Sequence, residues 1–173
     1  MKRISRGFSV LEVMVVVTII GVLLSLGVPS FFTYTQNMQI RSAAEQITAG
    51  LAIAKNEAIR RNALIQVALV NNTGWSITDA NGAVLQTRDA NEGSVNVTAA
   101  LLPAGTAAVT FNGMGRVASQ NDDGTPPITQ INLDNPQISN AADRRLLRIV
   151  IPVGGAVRMC DPLVTGTDPR TCP

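Results

Sequence analysis

The chain has 173 residues, with 14 Lys and Arg, 12 Asp and Glu and no histidine. Histidine is the commonest general base and metal ligand in proteins, so its absence argues against most catalytic and metal sites. Three positive charges lie within the first six residues, and the other 11 basic residues face 12 acidic ones, a balance that gives no support to nucleic-acid binding. No catalytic triad, phosphate loop or metal cluster stands out, so we predict no enzymatic activity, no cofactor, no metal and no small-molecule substrate.

The strongest pattern lies at the N-terminus. A short basic start ends at Gly7, and an apolar run follows over residues 8–28. A run of about 21 residues is long enough to cross a hydrocarbon core as a helix. Glu12 interrupts it, and a carboxylate in lipid is costly and usually paired, which marks this residue as functional. Because basic flanks stay in the cytoplasm, we expect the rest of the chain to lie outside it.

Glycine before phenylalanine, the acid five residues into the apolar run and Pro29 at its end together resemble the class III leader of type IV pilins and type II secretion pseudopilins. The resemblance implies cleavage by a membrane peptidase between Gly7 and Phe8, N-methylation of Phe8 and a helix kink at Pro29. Glu12 of one subunit would then pair with the new amine of a neighbour and set the stagger between subunits. The plainer alternative is a single-pass anchor or signal with a stray glutamate.

The apolar helix is predicted to continue beyond the membrane, from about residue 8 to residue 61. Apolar residues recur at spacings of four and three, which predicts one buried helical face: Ile40, Ala44, Ile47, Leu51, Ala54 and Ala58. The segment Ser42–Asn62 resembles the helix end of the GspH/FimT family of minor pilins, with its A-x-x-EA-x-RRN ending. Arg60 and Arg61 are interpreted locally as favourable cations at a helix C-terminus.

After Asn62 the sequence changes to short strands separated by turns. Strands are predicted at residues 64–70, 74–78, 83–87, 94–98, 107–112, 116–119, 128–133, 146–152 and 156–159. Asn81-Gly82 is predicted to supply the positive φ angles of a hairpin, and Trp75 to be a packing anchor. The polar stretch 119–127 is interpreted as a solvated loop rather than a calcium site at Asn121, Asp122 and Asp123, because no distal bidentate glutamate is suitably placed.

The predicted fold class is α+β. It is a pilin-like fold in which one long N-terminal helix, half membrane-spanning and half amphipathic, packs against a small antiparallel β-sheet head. The expected divisions are a leader at residues 1–7, a transmembrane or filament-core half-helix at 8–31, and a periplasmic head at 32–173 that includes the amphipathic half of the helix.

Two cysteines, Cys160 and Cys172, lie near the C-terminus. An oxidising periplasm favours a disulfide between them, and with two cysteines the intramolecular pairing is unique. Two free thiols are the alternative. A metal site is disfavoured because no third or fourth ligand is evident.

DNA binding is a second functional hypothesis. Some FimT-type members bind DNA through a G-R-x-R motif, and residues 155–158 of this chain read Gly-Ala-Val-Arg, so Ala156 stands where the first arginine should be. Phosphate binding needs several converging cations. The candidates are Arg144, Arg145, Arg148, Arg158 and Arg170, with Arg116 as a further contributor. The alternative for the first three is an exposed strand edge or a set of salt bridges.

The sequence therefore predicts a minor pilin of a type IV pilus, acting in assembly and priming or at the filament tip, in twitching, adhesion or natural transformation. The alternatives are a DNA-binding minor pilin for DNA uptake and a minor pseudopilin of a type II secretion system. Expected partners are other minor and major pilins, the prepilin peptidase, the inner-membrane assembly platform and, as a further candidate, DNA. The expected location is the inner membrane with a periplasmic head, followed by an extracellular pilus or a periplasmic pseudopilus.

Overall fold

A computed structural model describes residues 8–90 and 92–173, apart from the side chains of Leu26 and Pro29. Gly7 and the basic residues before it lie outside the described residues. The chain divides into two units, Met1–Thr35 and Gln36–Pro173. We describe each unit by itself.

A single helix, α1, spans Val10–Arg61. The helix continues through Pro29, and the kink predicted at this proline stays a prediction. The helix ends at Arg61 because Asn62 adopts a left-handed conformation with φ of 49°. The Asn62 N–H donates to the carbonyl of Ile59 at 3.3 Å and the Ala63 N–H to that of Ala58 at 3.1 Å. These two bonds form a Schellman cap, which satisfies carbonyls that the helix end leaves unpaired.

The part of α1 within Gln36–Pro173 supplies one side of the hydrophobic core. All six residues of the predicted apolar face are buried, with at most 1% of their surface exposed. They pack with strand residues that include Val67, Ile77, Ile131 and Ile149. The period of the sequence therefore identified the buried helical face correctly.

Eight strands form two antiparallel sheets of four. The strands are β1 (Ile65–Val70), β2 (Gly74–Asp79), β3 (Val84–Arg88), β4 (Thr98–Leu102), β5 (Ala108–Phe111), β6 (Gln130–Asp134), β7 (Leu147–Val150) and β8 (Arg158–Cys160). The first sheet has the order β3-β2-β1-β5 and the second the order β4-β6-β7-β8. A short 3-10 helix, Ala141–Asp143, lies between β6 and β7. The predicted α+β architecture, a long N-terminal helix packed against an antiparallel β head, is confirmed.

Two strand predictions were wrong. Residues 94–97 form a turn, in which the Val97 N–H donates to the Ser94 carbonyl at 3.0 Å, and the strand begins only at Thr98. Residues 116–119 contribute a single bridge, from Val117 to Phe111, instead of a strand. In the first case Ser and Asn side chains favour turn conformations, and they outweighed the β-branched valines between them.

The hairpin between β2 and β3 differs from the prediction at one residue. Gly82 has a positive φ of 80°, but Asn81 is not among the residues with positive φ. The Gly82 N–H donates to the Asp79 carbonyl, and the Asp79 carboxylate accepts from the N–H groups of Asn81 and Ala83. Asp79 thus closes the turn, and only the glycine needs the left-handed conformation.

Candidate functional site

The first candidate site is the anchor segment, residues 8–35. Its part of α1 is apolar, exposed, and by length and composition able to cross a membrane. The hydroxyls of Thr18 and Ser25 donate to the carbonyls of Met14 and Val22, at 2.8 and 2.7 Å. These bonds satisfy polar groups that would otherwise be costly in lipid. The segment is therefore consistent with a membrane anchor.

Glu12 lies in the first turn of α1 and is exposed. Phe8 precedes the helix and is exposed as well. Within residues 8–90 and 92–173, no salt bridge includes Glu12. A carboxylate near a helix N-terminus is favoured by the helix dipole, yet in lipid it still needs a counter-charge. The arrangement leaves Glu12 available to a group on another molecule.

The second candidate site is the set of five arginines. Arg148 lies on β7 and Arg158 on the adjacent strand β8. Val150 lies two residues after Arg148, so these two side chains share a face of β7, and Val150 pairs directly with Arg158. Both arginines therefore belong to the outer face of the second sheet. The Arg148 Nε donates to the Asn132 amide oxygen at 2.7 Å, and Arg158 is exposed. Neither has a carboxylate partner among the described residues.

The other three arginines are engaged differently. Arg144 forms a 3.0 Å salt bridge with Asp134 and donates its Nε to the Ile138 carbonyl. Arg170 forms a 2.8 Å salt bridge with Asp168 in the C-terminal loop. The hydrogen bonds from Arg170 lower the pKa of Asp168 to about 2. These two charges are thus compensated within the chain, which agrees with the salt-bridge alternative for Arg144.

Arg145 is fixed through its backbone rather than its charge. Its N–H donates to the Asn37 amide oxygen at 2.8 Å, while its side chain is exposed. The Asn37 amide in turn donates to the Asp143 carbonyl at 2.8 Å. Of the five arginines, Arg148 and Arg158 share one face of the second sheet, and within the described residues neither has a carboxylate partner.

A buried amide cluster next to Asn37 was missed by sequence reasoning. The Gln36 amide oxygen accepts from the side chains of Asn135 at 2.9 Å and Asn96 at 3.3 Å. Gln36 and Asn135 are buried. The cluster ties two connecting segments to α1 near the start of the unit Gln36–Pro173. Gln36 lies four residues before Ile40, so continuing the apolar face by one helical turn would have identified it.

Cys160 and Cys172 form a disulfide, which is the predicted pairing. Cys160 is the last residue of β8, and the Asp161 N–H donates to the Arg170 carbonyl at 2.8 Å inside the loop that the disulfide closes. The carboxylates of Asp161 and Asp168 accept from backbone N–H groups two residues further on. The disulfide and these turns organise the C-terminal loop.

The polar stretch 119–127, considered above as a calcium loop, is held by hydrogen bonds within the chain. Asn121 is buried, its amide donates to the carbonyls of Ala108 and Pro126, and its oxygen accepts from Thr110. Asp123 accepts two hydrogen bonds from Thr125, which lower the pKa of Asp123. Among the described residues, no group of three or more potential ligands could hold a metal ion. The buried Asn121 thus anchors this loop to the head, so the loop is not fully solvated, in contrast to the interpretation from the sequence.

Comparisons with known proteins agree with this architecture. Residues 43–155 match the family described as Type II transport protein GspH, and residues 2–28 match the prokaryotic N-terminal methylation motif. Two fimbrial proteins from Pseudomonas aeruginosa are each 26% identical over 107 residues, which cover 57% of this chain and 70% of theirs.

Two solved structures share the fold. Both are crystal structures of the type IV minor pilin FimU from Pseudomonas aeruginosa, each 21% identical to this chain. The first has a TM-score of 0.55 and covers 73% of this chain and 91% of FimU; the second has a TM-score of 0.50, with 69% and 90% covered. The family match spans more than half of the sequence, so the chain belongs to the GspH/FimT family of type IV minor pilins and pseudopilins, whose members are structural proteins.

Proposed function

We propose that this chain is a minor subunit of a type IV pilus and acts in filament assembly. The observation that carries the proposal is Glu12, an exposed carboxylate in the first turn of an apolar helix with no salt bridge among the described residues. A lone charge in lipid is strongly disfavoured, so such a residue is retained where a partner molecule neutralises it. Membership of a family of assembling subunits supplies that partner.

The proposed mechanism begins with removal of residues 1–7 by a prepilin peptidase at the inner membrane. Cleavage leaves a positive amine on Phe8, which is then N-methylated. Glu12 of a neighbouring subunit pairs with this amine as the anchor leaves the membrane through an assembly platform, and the pair fixes the axial stagger. The exposed apolar side chains of residues 8–35 exchange lipid for the anchors of other minor and major pilins. The head lies in the periplasm first and on the filament afterwards.

A pilus rather than a secretion pseudopilus is favoured by the relatives that are called fimbrial proteins. The pseudopilus alternative follows from the family description, Type II transport protein. Deletion of the gene that encodes this chain distinguishes a pilus subunit from a pseudopilus subunit. Loss of surface pili with normal export of secreted enzymes supports the pilus, and the reverse result supports the pseudopilus.

Mass spectrometry of the mature chain tests the processing step. The expected N-terminus is N-methylated Phe8 in a wild-type strain and an intact leader in a strain without the prepilin peptidase. A Gly7→Glu variant serves as the matched control, because it alters the cleavage site and leaves the apolar run unchanged. Mature protein that keeps residues 1–7 in the wild-type strain would contradict the proposal.

DNA binding is a second candidate function, favoured by Arg148 and Arg158 on one face of the second sheet. Each phosphate contact that is lost should weaken binding across all sequences and reduce its dependence on salt. A gel-shift titration against salt should therefore show weaker binding for Arg148→Gln/Arg158→Gln and little change for Arg144→Gln, whose charge is already paired. Equal binding by both variants would remove this candidate.

A further inference from the structure

Asparagine is followed directly by glycine at two places in the chain, Asn81-Gly82 and Asn112-Gly113. In such a pair the backbone nitrogen of the glycine can attack the side-chain carbonyl carbon of the asparagine, because the glycine has no Cβ to hinder the approach. The rate of attack depends on how firmly the fold holds the two residues. The two pairs differ in this respect.

The first pair lies at the tip of the hairpin between β2 and β3. Asn81 and Gly82 are both exposed, and no atom lies within 4 Å of the Cβ position of Gly82. The backbone N–H of Asn81 donates to the Asp79 carboxylate at 2.9 Å, whereas its side chain forms no hydrogen bond within residues 8–90 and 92–173. The carboxamide of Asn81 is therefore free to turn towards the Gly82 nitrogen.

One hydrogen bond still restrains that nitrogen. The Gly82 N–H donates to the Asp79 carbonyl at 2.9 Å, and this bond must open before the nitrogen can react. The strand that follows, β3, lies at the edge of its sheet, and Val84 at its start is 61% exposed. Edge elements with few buried contacts open at a lower free energy than the core. Opening of this hairpin alone thus makes the Gly82 nitrogen available.

The second pair is held more firmly. The Asn112 side-chain oxygen accepts from the N–H groups of Met114 and Arg116, at 3.0 and 3.1 Å. Gly113 packs against the end of α1, where a Cβ atom on this glycine would collide with Asn62. Rotation of the Asn112 carboxamide towards the Gly113 nitrogen would break both hydrogen bonds in a turn with little space beside it. The fold should therefore protect Asn112.

We propose that Asn81 is a site of spontaneous deamidation and that the fold protects Asn112 from the same reaction. The Gly82 nitrogen loses its proton to solvent and forms a bond to the Asn81 Cγ. The bond from Cγ to the side-chain nitrogen breaks, and this nitrogen takes a proton from solvent and leaves as ammonia. Water then opens the resulting succinimide ring at one of its two carbonyls, which gives aspartate or isoaspartate. Overall one water is consumed and one ammonia is released, so the reaction is independent of the proposed function.

The isoaspartate product changes the hairpin. Its main chain runs through the Cγ of residue 81, which adds one methylene group to the backbone inside the turn. The turn spacing now lets the Gly82 N–H reach the Asp79 carbonyl and the Ala83 N–H reach the Asp79 carboxylate, at 2.9 and 3.0 Å. The longer backbone removes this spacing. Because turn geometry fixes the register of a hairpin, β3 should loosen from β2.

Peptide mapping of the full-length chain in detergent tests the proposal. The chain is incubated at neutral pH and digested with trypsin, and cleavage after Arg61, Arg88 and Arg116 places the two pairs on different peptides. Digestion in heavy-oxygen water marks any deamidation that occurs during the digest. Mass spectrometry should show Asn81 converted at least about tenfold faster than Asn112, because attack at Asn112 must first break two side-chain hydrogen bonds. Fragmentation should identify isoaspartate at position 81.

Two controls separate the effect of the fold from that of the local sequence. In urea the two asparagines should convert at similar rates, since the hydrogen bonds of Asn112 are lost on unfolding. Asn81→Gln should abolish the fast product in the peptide 62–88, because its longer side chain closes a ring less readily. Equal conversion at both sites in the folded chain, or a difference that persists in urea, would overturn the proposal.

Hydrogen exchange tests the effect on the hairpin. In chains with isoaspartate at position 81, the N–H groups of β3 should exchange about tenfold or more faster than in unconverted chains, because the hydrogen bonds that close the turn are lost. Asn81→Asp is the matched control: it has the new carboxylate and a normal backbone, so its exchange should stay close to that of the unconverted chain. Equal exchange in converted and unconverted chains would refute the loosening of β3.

Discussion

Asn62 determines where the long helix stops. Its φ of 49° is unfavourable for most L residues and costs them about 1 kcal/mol, whereas asparagine and glycine tolerate it. We expect Asn62→Ala to lower the free energy of unfolding of the head by about 1 kcal/mol, and Asn62→Gly to leave it nearly unchanged. Urea denaturation measures both variants. Equal destabilisation by Ala and Gly would show that the asparagine side chain, rather than its backbone conformation, supports the helix end.

Gly50 allows the only tryptophan to lie against the helix. A Cβ atom at position 50 would be 2.7 Å from Cε2 of Trp75, which is 4% exposed. Alanine is the better helix former by about 1 kcal/mol, but overpacking of a rigid ring costs about 1–3 kcal/mol, so we expect Gly50→Ala to be destabilising. Gly154→Ala is the control, because no atom lies within 4 Å of its Cβ position. A variant with alanine at position 50 that melts at or above the wild-type temperature would refute the close contact.

The ion pair of Asp168 and Arg170 gives stability a pH dependence. The pKa of Asp168 is lowered from 3.8 to about 2 in the folded chain, first by the side-chain hydrogen bond of Arg170. A carboxyl group with a lowered folded pKa stabilises the fold above its unfolded pKa, and this contribution is lost as the pH falls from about 4 to about 2. We expect Arg170→Gln to move the NMR titration midpoint of Asp168 back towards 3.8. An unchanged midpoint would show that the backbone N–H of residue 170 alone lowers the pKa.

At the scale of elements, the sequence predicted what periodicity determines. The six apolar residues from Ile40 to Ala58 repeat with the helical period, and all of them are buried. The division of the head into two sheets was not predictable, because strand order depends on contacts between residues far apart in the chain. The Gln36 cluster was missed for a related reason: its partners Asn96 and Asn135 come from separate loops, and nothing local marks them as partners.

The disulfide organises the last element of the fold. Cys160 and Cys172 close a loop with a sequence separation of 12, and cross-linking a loop of that size stabilises a fold by about 3 kcal/mol in the chain-entropy model. We expect the double variant Cys160→Ala/Cys172→Ala to lose up to about 3 kcal/mol of unfolding free energy and to become insensitive to reductant. The wild-type head should lose a similar amount when reduced. A reduced wild-type head with unchanged stability would indicate that β8 and the loop are held by their other contacts.

Across the whole molecule, the charged residues of the leader, the head and the anchor segment have different roles. The leader holds three basic residues that are absent from the proposed mature chain, and most carboxylates of the head are engaged in turns or salt bridges. Glu12 differs from these, because it is exposed in an apolar segment and has no salt bridge within the described residues. In the proposed function, most carboxylates of the head are already engaged within the chain, whereas the charge of Glu12 is neutralised only on assembly.

This difference gives a prediction about Glu12 that separates folding from assembly. Glu12→Ala changes an exposed residue of the anchor segment that forms no salt bridge with the described residues, so the stability of the head should stay within about 0.5 kcal/mol of wild type. Incorporation into filaments should fall by about tenfold or more, because the amine of the neighbouring Phe8 would be left unpaired in an apolar environment. Glu12→Gln is the sharper variant, since it keeps the size and hydrogen bonding of the side chain and removes only the charge. Quantitative immunoblotting of sheared filaments against whole cells measures the effect. Normal incorporation of Glu12→Gln would show that hydrogen bonding or shape, and not charge pairing, fixes the subunit in the filament.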